Sequence, residues 1–124
     1  MKFMLDTNIV VAIALAAGAD VRRRMAEHDR GDFAMSAIAY AEVVHSSFRG
    51  KPPPIAELQI LIEEVPVLPF DQVAARTYAS IPFKRASYDR LIAAHALSLG
   101  LTVITSNEKH FADVPGLKVE NWKI

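Results

Sequence analysis

The sequence predicts an α/β fold: one domain over residues 1–124, with a central, short, mostly parallel sheet flanked by helices on both faces. Three observations predict it. Short apolar runs alternate with longer segments of helical period, the pattern that sandwiches a parallel sheet between two helical layers. The chain has 124 residues, of which 52% are hydrophobic, enough for one core at the usual size of one domain. No internal repeat or linker divides it, and the triple proline at 52–54 is its only biased segment.

Phe3–Leu5 is a short apolar strand bounded by Asp6, Thr7 and Asn8, all good helix N-caps. Residues 9–17 form an apolar helix that Gly18 ends, and residues 21–28 a charged one. Residues 33–35 make a second strand, after which Ser36 caps a helix running to about Phe48. The "RGKPPP" stretch is a loop because three prolines cannot continue a helix. Ile55–Glu64 is the next helix, and the prolines of "VPVLPF" confine that strand to a sheet edge. Asp71 caps a helix to about Ser80, "IPFKRAS" is a loop, and Ser87 opens a helix through Leu99 that Gly100 ends. Residues 101–105 are a β-branched strand, residues 107–111 one helical turn, and "GLKVENW" a last short strand.

Composition excludes several classes of function. Cysteine is absent, so disulfides and thiolate metal sites are excluded, and a reducing, cytoplasmic setting is expected. The longest apolar run, residues 9–17, is too short to span a bilayer, so no membrane partner is expected. Fourteen basic residues balance fourteen acidic ones, which counts mildly against nucleic-acid binding. Basic residues nevertheless gather at Arg22, Arg23 and Arg24, read as a solvated helix face, and at Lys84, Arg85 and Arg90.

The acids are oddly placed. Glu42 shares a helix face with Ile38, Ala41 and His45, in a segment whose apolar character predicts burial. A buried carboxylate needs a shifted pKa, an ion pair or a metal. Asp6 follows the first strand, Asp89 opens a late helix, and Asn107 follows the late strand; each alone is explained as a helix cap or first-turn acid. Together they fall at the carboxyl edge of the expected sheet, where open parallel sheets bind ligands. Carboxylates gathered there stay ionised only beside a cation, and an oxygen-only set selects Mg²⁺, with Mn²⁺ able to substitute.

The segments "LDTNI", "SAIAYAEVVHSSFRG", "YDRLIAAHALSLGLTVITSNEKHF" and "VPGLKVENW" resemble, in order and spacing, a PIN-domain ribonuclease of the VapC toxin type. The resemblance covers nearly the whole chain. It implies a Mg²⁺-dependent endoribonuclease whose acidic site is Asp6, Glu42 and Asp89, with Asn107 at the fourth position. It implies metal-assisted hydrolysis of an RNA phosphodiester, inhibition by a small antitoxin protein, and a homodimer. An asparagine at 107 removes one charge and should weaken a second metal; Glu108 is a candidate substitute. Thr7, Thr105 and Ser106 are candidate partners of the carboxylates. Lys84, Arg85, Arg90 and Lys109 are candidate contacts to substrate phosphate. His95 and Trp122 are expected to be structural, as is His45, which is close enough in sequence to reach Glu42.

Two other functions compete. A PIN-like fold without catalysis, binding RNA or a protein, draws support from Asn107. An aspartyl-phosphate phosphatase would want a second aspartate two residues after the first, and position 8 is Asn8.

Overall fold

Strand β1 (Phe3–Leu5) is buried along its whole length. In the computed structural model, which describes residues 1–82 and 85–123, it lies at the centre of a five-stranded sheet. It pairs with β2 (Phe33–Ser36) on one side and β4 (Thr102–Ile104) on the other. Strand β3 (Val67–Leu68) lies beyond β2 and β5 (Val119–Glu120) beyond β4, so the order is β3-β2-β1-β4-β5 with every pairing parallel. The chain first builds outward from β1 through β2 to β3, then crosses to the other side of β1. The direction therefore reverses between β1 and β4.

Helices α1 (Thr7–Ala14), α2 (Ala19–Met25), α3 (Ala37–Phe48), α4 (Ile55–Glu64), α5 (Gln72–Ser80) and α6 (Tyr88–Leu99) make the connections, with 3₁₀ turns at Arg30–Asp32 and Glu108–His110. Neighbouring strand residues face opposite ways, so β1 feeds two cores. Phe3 and Leu5 pack with Phe33, Met35, Val43, Leu58 and Ile104. Met4 packs on the other side with Ala39, Ile92, Val103 and Phe111. Burial of both faces is why β1 reads as a continuous apolar run rather than an alternating one.

The α/β expectation is met, and β3 lies at the sheet edge its prolines demand. Helices α3, α4, α5 and α6 begin where Ser36, Pro54, Asp71 and Ser87 cap them; three of those caps accept a backbone N–H through the side chain. Gly100 closes α6 in the left-handed conformation (φ 68°). Three expectations need correction. The first helix stops at Ala14, not at 17, because the chain turns through Ala16 at φ 57°, and Gly18 caps the following helix instead. The face of α3 bearing Ile38, Ala41, Glu42 and His45 is not its buried side: Ala39 and Val43 are buried, while that face lines an open cavity of about 280 Å³. The second helix spans Ala19–Met25, not 21–28, and its arginines lie on the surface as expected: Arg22 Nη1 reaches both Glu64 oxygens (2.6 and 2.8 Å), Arg23 pairs with Asp20, and Arg24 sits 4.9 Å from the Trp122 ring. The 83–84 part of the "IPFKRAS" loop lies outside the described residues.

Trp122 is 2% exposed and packs against Phe3, Phe33 and His28, which ties the C-terminal segment beneath the sheet and gives it the structural role expected. His95 is likewise 2% exposed. Its Nδ1 lies 2.8 Å from the Ser36 hydroxyl at the start of α3, its ring meets Phe70 edge-on, and it hydrogen-bonds the Pro69 backbone, which offers only a carbonyl. One imidazole thus joins α6 to the ends of β2 and β3.

Burial pushes the His95 pKa below 6.5. As pH falls below that value the unfolded chain takes up a proton that the folded chain resists. The stability His95 contributes is therefore present above pH 6.5 and lost as pH falls toward its depressed value. In urea unfolding at pH 8, His95→Gln should cost about 2 kcal/mol, and the gap from wild type should narrow by pH 5.5. A gap that stays constant across this range would contradict the account.

Candidate active site

The site begins where β1 and β4 end side by side. The Asp6 N–H donates to the Ile104 carbonyl (2.9 Å), which fixes the first carboxylate at the carboxyl edge, at the point where the sheet's winding reverses. That crevice is where open parallel sheets bind ligands. Asp6 is the N-cap of α1: its Oδ1 accepts the Thr7 N–H at 2.8 Å. A cap needs only one oxygen. The second, Oδ2, accepts the Thr105 hydroxyl at 2.8 Å, and the residue is 2% exposed. Thr105 Oγ1 in turn accepts the Asn107 N–H at 3.0 Å.

Glu42 stands half-buried on α3 and accepts the Thr7 hydroxyl through Oε1 at 2.8 Å. Thr7 therefore serves two acids, Asp6 with its N–H and Glu42 with its hydroxyl. Asp89 lies in the first turn of α6, where the helix dipole favours an acid, and its Oδ2 is 2.8 Å from His110 Nδ1.

The three acids feel one another. Burial raises the Asp6 pKa and Asp89 raises it further, against the Thr105 hydroxyl, the Thr7 N–H and His110, which lower it. Burial also raises the Glu42 pKa; the Thr7 hydroxyl opposes this, while Asp89 and Asp6 reinforce it. Asp6, Glu42 and Asp89 thus form one repelling set contributed by β1, α3 and α6.

Among the described residues, no group of three acidic or histidine side chains is gathered tightly enough to hold a metal ion unaided. The donors are nevertheless all oxygen and carry excess negative charge. That suits Mg²⁺, which keeps several waters and is usually bound through one or two carboxylates plus substrate phosphates.

Asn107 is exposed beside the site. It occupies the N-cap position of the 108–110 turn, but its side chain makes no capping hydrogen bond, contrary to expectation. Glu108 accepts a hydrogen bond from the Asn121 amide at 3.3 Å. An open cavity of about 520 Å³ adjoins Asp89 and is lined by Arg85, Ser87, Arg90, Lys109 and His110. Of the basic candidates, Arg85 and Lys109 are exposed on this cavity. Arg90 also lines it, but its guanidinium forks onto Asp113 at 2.7 Å in each arm. Lys84 lies outside the described residues. His45 accepts from Arg49 Nε at 3.0 Å and shares the 280 Å³ cavity with Glu42. The sequence gives no hint of His110: it lies 21 residues from its partner Asp89, and no periodicity joins a 3₁₀ turn to a distant helix start.

The PIN domain family model matches residues 3–117. This chain belongs to the PIN-domain family. Within it, the chain falls among the VapC proteins. It is 30% identical to the tRNA(fMet)-specific endonuclease VapC of Shigella flexneri, with 98% of each chain covered. It is 31% identical to ribonuclease VapC1 of Haemophilus influenzae strain R2866, again covering 98% of both. Among solved structures, it superposes on VapBC2 from Rickettsia felis bound to a promoter DNA fragment, with TM-score 0.87, 25% identity, and 98% of this chain and 99% of that one covered. It also superposes on DNA-bound VapBC from Salmonella typhimurium, with TM-score 0.83, 29% identity and 98% of both chains covered.

The raised pKa of Asp6 has a thermodynamic consequence. Holding Asp6 ionised at neutral pH costs stability, and this cost disappears as pH falls through the raised folded value toward 3.8. Asp6→Asn should therefore melt higher than wild type at pH 7.5, by about 2–4 °C for a gain of near 1 kcal/mol. The two melting curves should converge near pH 4. A lower melting temperature for the variant at pH 7.5 would show that the carboxylate is retained for stability.

Proposed function

We propose that this protein is a divalent-cation-dependent endoribonuclease, the toxin of a toxin–antitoxin pair. The observation that carries the proposal is the set of Asp6, Glu42 and Asp89, mutually repelling at the winding reversal of a PIN fold. Such a set destabilises a protein that does not use it. The names of the relatives support ribonuclease chemistry, and two of them, from Shigella flexneri and Salmonella typhimurium, are called tRNA(fMet)-specific. Initiator tRNA is accordingly the substrate proposed here.

Asp6, Glu42 and Asp89 would hold Mg²⁺ or Mn²⁺. A divalent ion there would acidify a water molecule and offset the charge that builds on the phosphate. The protein's own side chains do the rest. Thr105 and the Thr7 N–H keep both Asp6 oxygens in place, and the Thr7 hydroxyl keeps Glu42 turned toward Asp6. Arg85 and Lys109 offer cations to the phosphate backbone along the cavity beside Asp89. Arg90, forked onto Asp113, braces α6 against the 108–114 segment.

The partners belong to the same proposal. VapBC toxin–antitoxin complexes are the structural neighbours, which supports a cognate antitoxin for this chain. A second copy of the chain is the other proposed partner. The apolar surface open to either includes Phe48, Ile60 and Tyr88. Helix α1 spends Ile9, Val10, Ala12 and Ile13 on the core. Among the described residues no helix is long and apolar enough to cross a membrane.

Cleavage of end-labelled initiator tRNA, beside a total-RNA pool, tests the proposal. Cutting should require Mg²⁺ or Mn²⁺ and stop in EDTA. Asp6→Asn and Asp89→Asn should each lose more than the roughly 10–100-fold typical of disturbing a metal's outer shell. Cutting that persists in EDTA, or in either variant, would refute it.

A further inference from the structure

Each acid of the site has a hydrogen-bond donor assigned to it. Asp6 has the Thr105 hydroxyl and Glu42 has the Thr7 hydroxyl, both at 2.8 Å. For Asp89 the donor is His110 Nδ1, also at 2.8 Å. A carboxylate only accepts, so the imidazole must carry its proton on Nδ1 here, whatever the state of Nε2. Arg90, one residue along α6, forks onto Asp113 and acts on Asp89 through its charge.

The position of His110 follows from the end of β4. Thr105 binds Asp6 and accepts the Asn107 N–H, which starts the chain into the Glu108–His110 turn. Within that turn the His110 N–H donates to the Asn107 carbonyl at 3.0 Å. One six-residue segment, from 105 to 110, therefore contacts Asp6 at one end and Asp89 at the other. Asp89 opens α6 and Asp6 follows β1, 83 positions apart in sequence, and this segment contacts both carboxylates.

We propose that His110 is a positioning residue for Asp89, fixing its carboxylate for a divalent cation shared with Asp6. The proposal rests on the cation reading given under Proposed function. Carboxylates that bind metals are themselves hydrogen-bonded, and loss of such a partner typically costs about 10–100-fold in metal affinity. His110 itself is exposed and stands at the surface end of the pair, so its removal should leave the fold intact.

Calorimetric titration of Mn²⁺ into the full chain tests this with no RNA present. Wild type should bind, His110→Ala should bind about tenfold more weakly with an unchanged melting temperature, and His110→Asn should recover most of the loss, because its amide N–H can stand where Nδ1 stood. Equal or tighter binding by His110→Ala would overturn the role of His110 while leaving the cation site intact. Absence of Mn²⁺ binding to wild type would overturn both, and the cation reading would fail first. A loss in His110→Asn as deep as in His110→Ala would also count against the proposal, since a donor at that position would then not be what matters.

Discussion

Asp6 carries two demands that conflict. As the residue that ends the central strand and caps α1, it must be buried; as a carboxylate beside Glu42 and Asp89, it is pushed toward protonation by that same burial. The surrounding structure is arranged to keep it in place all the same. Thr7 gives it a backbone N–H, Thr105 gives it a hydroxyl, and the pairing of β1 with β4 brings both partners to one spot. The winding reverses between those strands, which puts the carboxylate at the edge where open parallel sheets bind ligands. Residues chosen only for stability would not put three acids there.

The rest of the architecture can be read as support for that edge. His95 anchors α6 to the strand ends on one side, and Trp122 anchors the C-terminal segment on the other. β4 lies between β1 and β5, and the turn that follows it carries Thr105, Asn107 and His110. The relation to VapC proteins fits these features: the conserved shape is the scaffold that sets strand ends, and the chemistry belongs to the side chains mounted on them.

Much of this was legible in the sequence, for identifiable reasons. Caps and breakers act locally, so Ser36, Asp71, Ser87 and Gly100 announced their helices, and the prolines beside Val67 announced an edge. The acids were legible because a carboxylate after an apolar strand is conspicuous. What sequence could not show was anything set by contact across the fold. The Glu42 face of α3 reads as buried because its residues are apolar, yet it lines an open cavity that it shares with Tyr88 of α6. The arginines at 22–24 do lie on the surface, but nothing in their spacing reveals the partners Glu64 and Trp122, which come from distant segments. The end of α1 is not legible because alanines carry no stop signal and the turn runs through Ala16. His110 was invisible because its role exists only once α6 and the 108–110 turn meet.

The central claim is that Asp6, Glu42 and Asp89 are kept together to hold a hard cation. Anomalous diffraction from crystals grown with Mn²⁺ tests it most directly. The account predicts a manganese peak in the cleft within bonding distance of Asp6 and Asp89, lost in crystals of Asp6→Asn. A cleft that stays free of manganese while the protein cleaves RNA, or a peak bound elsewhere with these carboxylates untouched, would contradict it.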